Sequence, residues 1–177
     1  MRTDSTKEQF VSQARVWPCS PRAATLADGP ELVRLAELTY AEIGFPWRDT
    51  AWKSVALAEL SGRLGRDLNA FVVDDPDDPD HLAACGAATL NHRLPSPTNP
   101  MGAVGYIQWV GTVARCRRRG YAQAVMQALI GWLAEVGFTR VELHTSPAAA
   151  DLYRKLGFEV AAGACLRLDA SRAGQPG

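Results

Sequence analysis

The sequence predicts an α/β domain, and three observations carry that prediction. Its 177 residues, 47% apolar and 21% charged, suffice for one buried core and would crowd two. Stretches with apolar residues three and four apart alternate with short runs of branched, aromatic and small side chains. One such run passes through a tight glycine-bearing turn straight into a long amphipathic pattern, a strand–turn–helix unit. The expected organisation is a flexible arm over 1–20, a single domain over 21–170 and a disordered tail over 171–177.

Arg22 to Leu26 reads as a short strand. Asp28 then caps a helix with Pro30 near its first turn; its buried face is Leu32, Leu35, Ala36, Leu38 and Thr39, and Gly44-Phe45-Pro46 ends it. A second helix starts at the Asp49-Thr50 cap, carries Trp52, Val55, Ala56, Leu60 and Leu64 on its apolar face, and stops at Gly65. Asn69 to Val73 and Leu82 to Leu90 read as partner strands. The acidic link Asp74 to Asp80 lacks the glycine and distal glutamate of a calcium loop, so it reads as a solvated hairpin tip.

Pro95, Pro97 and Pro100 exclude regular structure between Asn91 and Ala103, and a loop of that length in a compact domain is often functional. Gly105 to Val113 resumes as a strand. A long helix follows with Ala122, Val125, Met126, Leu129, Leu133 and Val136 as its stripe and Gly137 as its stop. After a strand that closes at His144, Ser146 caps a helix with Pro147 at its first position, running to Leu156 and stopped by Gly157.

Nineteen basic and nineteen acidic residues leave a formal charge of zero, so no global field draws the chain to nucleic acid or an anionic membrane. The cysteines Cys19, Cys85, Cys116 and Cys165 have neither zinc-ligand spacing nor a disulfide pattern, which predicts reduced thiols and no metal. No apolar run reaches the roughly 20 residues that span a bilayer, and the first residues form no export signal, so a cytoplasmic protein is expected.

The segment Val113 to Ala122 holds the chemistry. A strand, a turn with Gly120 and Ala122, and a helix start leave backbone N–H groups pointing one way, a seat for phosphate or pyrophosphate reinforced by the helix dipole. Arg115, Arg117, Arg118 and Arg119 add positive charge. The arginine triplet is also compatible with nucleic acid, but the neutral whole and the absence of interleaved aromatics argue against it. Neither a dinucleotide nor a Walker fingerprint is present. A phosphate-bearing ligand of another kind remains.

Arg117-x-x-Gly120-x-Ala122 after a strand, then Leu152-Tyr153-Arg154-Lys155-Leu156-Gly157-Phe158 about 35 residues on, with the opening RAATLADGPELVRL, resembles the GNAT superfamily of N-acetyltransferases from Pro21 to about Asp169. The resemblance implies a mixed, mostly antiparallel sheet splayed between its fourth and fifth strands, helices on both faces, and acetyl-CoA in the gap. Gly111, Thr112 and Val113 would offer main-chain groups to pantetheine. Arg117, Arg118, Arg119, Gly120, Tyr121 and Ala122 would hold the pyrophosphate. Ser146 stands where many members use an asparagine on the cofactor. Tyr153 would protonate the departing thiolate as general acid.

The implied reaction is direct acetyl transfer to the primary amine of a small molecule or peptide in a ternary complex, with the thioester carbonyl polarised by a strand N–H near Val113. Cys116, at the pyrophosphate end, is too far from the thioester to be an acetylated nucleophile. The general base is open: some members place a glutamate on the fourth strand, whereas Tyr106-Ile107-Gln108-Trp109-Val110 has no acid. Gln108, Glu42, His92 and His144 are the scattered alternatives. The loop from Asn91 to Ala103 with Trp47, Trp52 and Trp109 would shape the acceptor pocket, and a homodimer is permitted. An acyl-CoA-binding sensor with little activity is the alternative from another class.

Overall fold

The computed structural model describes residues 20–44 and 50–161. In chain order the elements are β1 (Arg22–Ala23), α1 (Gly29–Glu42), α2 (Ala51–Arg63), β2 (Leu68–Asp74), β3 (Leu82–His92), β4 (Ala103–Thr112), α3 (Tyr121–Glu135), β5 (Val141–Leu143) and α4 (Ala150–Lys155), with 3-10 turns at Leu26–Asp28 and Ala114–Cys116. The expected arm (Ser20 apart), the tail, the end of the 21–170 domain, and Phe45, Pro46, Trp47 and Asp49 lie outside the described residues.

The strands form one sheet in the order β1-β2-β3-β4-β5, antiparallel except for the parallel β4–β5 pair. At its centre β3 is buried from Leu82 through Thr89 and reads Leu-Ala-Ala-Cys-Gly-Ala-Ala-Thr, small on both faces, so helices can close on each side of it. A Cβ at Gly86 would meet Val125 and Leu129 of α3, and one at Gly105 would meet Leu133 of α3. On the other face a Cβ at Gly111 would lie 2.6 Å from Thr39 Oγ1 of α1. Burial of Leu32, Leu35, Met126, Leu129, Leu133 and the sheet valines supplies the core, each large side chain worth roughly 1.5–3 kcal/mol.

Gly105 and Gly111 are six apart on β4, so in an unbroken strand they would face the same helix. They do not, because Cys85 pairs with Gly111 and Ala87 with Gln108, leaving Gly86 opposite both Trp109 and Val110. This is a β-bulge, with Trp109 in the left-handed region at φ 58°. The Cys85 thiol donates to the Trp109 carbonyl (3.2 Å), and the Trp109 indole N–H donates to the Tyr40 hydroxyl (3.2 Å), which fixes the irregularity from both sides.

Several expectations change. The first strand is only two residues long, because Thr25 donates through its N–H and hydroxyl to Asp28 (2.7 and 3.0 Å) and bends Leu26–Asp28 into a 3-10 turn. Leu38 and Val55 are 42% and 61% exposed rather than buried. The acidic link is an exposed hairpin tip as expected except at Asp75, which is buried at 2% exposure. Ser146 does not cap the last helix, since a turn closed by the Ala149 N–H on the Ser146 carbonyl (3.1 Å) intervenes and Ala149 takes the cap position. No helix among the described residues is long and apolar enough to cross a membrane.

Candidate functional site

Pairing of β5 with β4 ends at Leu143 opposite Ile107, while β4 runs on to Thr112. The sheet therefore opens at this point, and a cleft of about 790 Å³ lies along the freed end of β4. That volume is within the usual range for small-molecule sites. Its walls include Gly111, Thr112, Arg117, Arg118, Arg119, Gly120, Tyr121, Ala122, Ser146 and Tyr153, brought together from β4, the following turn, α3 and the α4 region. Leu35, Leu38, Thr39, Glu42 and Ile43 of the α1 segment, together with Leu152, close it; of these, only Glu42 stands out in the sequence as chemistry-bearing.

Val113 is not in that lining. It is 7% exposed and its N–H donates to the Ala83 carbonyl of β3 (2.9 Å). Alternation along β4 then turns the N–H groups of Thr112 and Val110, not that of Val113, toward the side that β5 has left. Gly111 does line the cleft, and the space its missing Cβ opens is filled by Thr39 of α1.

The turn before α3 is strongly shaped. Arg118 and Gly120 both take positive φ, 64° and 87°, on either side of Arg119. The Ala124 N–H reaches back to the Gly120 carbonyl (3.0 Å), and the amides of Arg118, Arg119, Gly120, Ala122 and Gln123 have no backbone acceptor among the described residues. Such a run of free amides at a helix start forms an anion-binding concavity. Nearby, the Thr112 hydroxyl is shut from solvent without a hydrogen-bond partner among the described residues.

The arginines are distributed rather than pooled. Arg115 is drawn off to the buried Asp75 (2.5 Å), which also accepts from the Cys116 thiol (3.7 Å) and the Asp77 N–H (3.0 Å). Arg119 pairs with Asp77 at 3.6 Å. Arg117 pairs with Glu42 and donates through Nε to the Thr112 carbonyl (3.3 Å). Arg118 makes no ion pair among the described residues. The β2–β3 loop thus braces the turn, a role with no signature in the sequence because Asp75 and Arg115 are 40 positions apart.

Tyr153 lines the cleft, is 7% exposed and stacks edge-on against Phe158 with centroids 5.9 Å apart. Burial pushes its phenol up, so it stays protonated at neutral pH. Burial also raises the Cys116 thiol, which keeps it protonated in its place beneath the turn. The scattered histidines separate: His92 packs on Phe138 (5.3 Å), and His144 Nδ1 lies 2.6 Å from the Tyr106 hydroxyl. The loop from Asn91 to Ala103 is absent from the cleft wall and is closed on itself by Arg93 N–H to Gly102 carbonyl and by mutual Ser96–Asn99 bonds. Trp52 and Trp109 instead meet at Tyr40, which stacks on Trp52 at 5.9 Å; Trp47 lies outside the described residues.

Comparison with protein families finds a match to the acetyltransferase (GNAT) family over residues 32–158. Among solved structures, the chain is similar to a predicted acetyltransferase with acetyl-CoA from Clostridium acetobutylicum (20% identity, TM-score 0.78, 89% of this chain and 99% of that one). It is similar to a GCN5-related N-acetyltransferase from Ralstonia eutropha JMP134 (21% identity, TM-score 0.71, 85% and 98%). It is also similar to glucosamine-6-phosphate N-acetyltransferase from Arabidopsis thaliana (16% identity, TM-score 0.66, 85% and 97%). A comparison with curated proteins gave no match.

Proposed function

The chain belongs to the acetyltransferase (GNAT) family, whose acetyl donor is acetyl-CoA, and we propose that it moves the acetyl group to the primary amine of a small molecule or peptide. The observation that carries this reading is the cleft where the sheet opens, which gathers the amides of Arg118, Arg119, Gly120, Ala122 and Gln123 and the Tyr153 phenol in one space. The residues fit the donor: amides and Arg117, Arg118 and Arg119 for the diphosphate, the orphan Thr112 hydroxyl and the outward amides of β4 for the pantetheine arm. Ser146 stands at the wall and supplies a hydroxyl.

Holding donor and amine in one cleft supplies the proximity term, and outward N–H groups at Val110 or Thr112 polarise the thioester carbonyl. Tyr153 acts as general acid, its phenol proton donated to the sulfur as negative charge develops there in the transition state. Glu42, paired with Arg117, is not free to act as base. Thiol release from acetyl-CoA with a panel of amines, beside calorimetric acetyl-CoA affinity, tests the function. Turnover with at least one amine is expected; tight donor binding with none would favour the sensor. Tyr153→Phe should lower kcat roughly 100-fold with donor affinity unchanged.

A further inference from the structure

We propose that His144 accepts the proton of the incoming amine and that Tyr106 positions it; this rests on the acetyltransferase reading above and supplies its missing base. The register places Tyr106 beside Glu142 and Ile107 beside Leu143, so His144 is the first residue after β4 and β5 part. Gly105 faces Leu133 of α3, so Tyr106 and Gln108 point to the opposite face, where α1 packs. Glu142 and His144 share that face by the same alternation. His144 therefore follows the last paired residue where the sheet opens, beside the cleft and outside its lining, two residues before Ser146 in the cleft wall.

The Tyr106 hydroxyl and His144 Nδ1 are 2.6 Å apart, with the rings edge to face at 5.8 Å. When Nδ1–H donates to the phenol oxygen, Nε2 carries the lone pair and His144, an exposed residue, presents it to an incoming ammonium. The carboxylates on this side are held by bases: Glu142 is bonded by Arg93 from the β3–β4 loop (2.8 Å) and by Arg140 (3.3 Å), leaving one positive charge in excess, while on α1 Glu37 pairs with Lys53 and Glu42 with Arg117, and the Tyr40 hydroxyl accepts from Trp109.

The step balances as follows. Nε2 takes one proton from R–NH3+, giving imidazolium and a free amine. The amine lone pair forms the N–C bond at the thioester carbonyl, the C–S bond breaks, and the sulfur leaves with the electron pair and takes the Tyr153 proton. The new amide nitrogen sheds its second proton to the tyrosinate, and the imidazolium returns its own to solvent.

The test uses the full chain, acetyl-CoA and three probes, phenethylamine, spermidine and a glycyl peptide, with kcat/KM followed from about pH 5.5 to 8.5. In the wild type kcat/KM should rise along a single limb as the pH increases. His144→Gln should abolish that limb and lower kcat/KM about 100-fold at neutral pH, with KM for acetyl-CoA within twofold. Tyr106→Phe should displace the limb without removing it. Independently of activity, nitrogen NMR of the wild-type imidazole should show a protonated Nδ1 and a bare Nε2 above the titration. A wild-type profile in His144→Gln, or an Nε2–H tautomer, overturns this inference alone. A wild-type chain that binds acetyl-CoA and acetylates no probe overturns it together with the acetyltransferase reading.

Discussion

Asp75→Ala removes the carboxylate that holds the arginine-rich turn from behind. Its side chain has 0% exposure and accepts from Arg115 at 2.5 Å, from the Asp77 N–H at 3.0 Å and from the Cys116 thiol at 3.7 Å. A hydrogen bond to a charged group is worth about 1.5–3 kcal/mol, and leaving a buried donor unmatched costs about 1–3. Arg115 is 51% exposed, so water takes up its guanidinium once the partner is gone, which discounts the ionic part. A net loss of about 2 kcal/mol follows. The urea midpoint should fall by about 1 M for an m-value near 2 kcal/mol/M.

The same variant has a functional consequence that a general loss of stability lacks. With Arg115 and Cys116 released, the Ala114–Cys116 turn must be ordered by the ligand, and a roughly tenfold loss of affinity corresponds to about 1.4 kcal/mol. That loss should appear for acetyl-CoA and not for S-acetyl-pantetheine, which has no diphosphate. Asp75→Asn, equal in shape, should keep the fold and show the same selective loss. An unmoved urea midpoint, or equal losses for both thioesters, would refute the bracing argument.

Gly120→Val forces a branched residue to φ 87° and should weaken acetyl-CoA at least tenfold by calorimetry, with a strain of about 1–2 kcal/mol visible in thermal unfolding. Gly111→Ala drives a methyl to 2.6 Å from Thr39 Oγ1 and should destabilise by about 1–3 kcal/mol; pairing it with Thr39→Ala should recover most of that in a double-mutant cycle. Acid sensitivity follows from two carboxylates. Hydrogen bonds from Arg22 hold Asp28 down to about 2. Burial works to raise Glu31, but bonds from Arg34, the Leu82 N–H and His81 outweigh it and leave it at about 2. Both depressed groups contribute stability above the unfolded carboxylate range and lose it as pH falls toward 2. The denaturation midpoint should thus be flat from pH 7 to about 5 and drop below it, and a drop beginning well above pH 5 would contradict this assignment.

Which parts of this architecture could be read in advance depends on how far apart in the chain the interacting groups lie. The turn before α3 was legible because its causes are local: a strand, a glycine at positive φ and a helix start within a few residues. Both long helices were legible from their apolar period. Ser146 misled because a serine before a proline has the composition of a helix start, while the chain first closes a turn through the Ala149 N–H on the Ser146 carbonyl and the helix begins only at Ala150. The burial of Asp75 was illegible, since an aspartate among aspartates shows its role only when Arg115 folds back across 40 positions.

The bulge at Trp109 was hidden as well. Read as continuous, β4 would put Gly105, Ile107, Trp109 and Gly111 on one face and Tyr106, Gln108 and Val110 on the other. The extra residue instead sends the Trp109 indole to Tyr40 on the α1 side and moves Gly111 to the face that Tyr106 and Gln108 already share. Which side chains share this face of β4 is thus decided by one left-handed tryptophan, a conformation that neither its residue type nor its neighbours favour. Its support comes from the Cys85 thiol and the Tyr40 hydroxyl, on other strands and helices. The face on which β4 presents Trp109 and Gly111 is consequently a tertiary property: replacing Cys85 or Tyr40 would loosen the bulge that sets it.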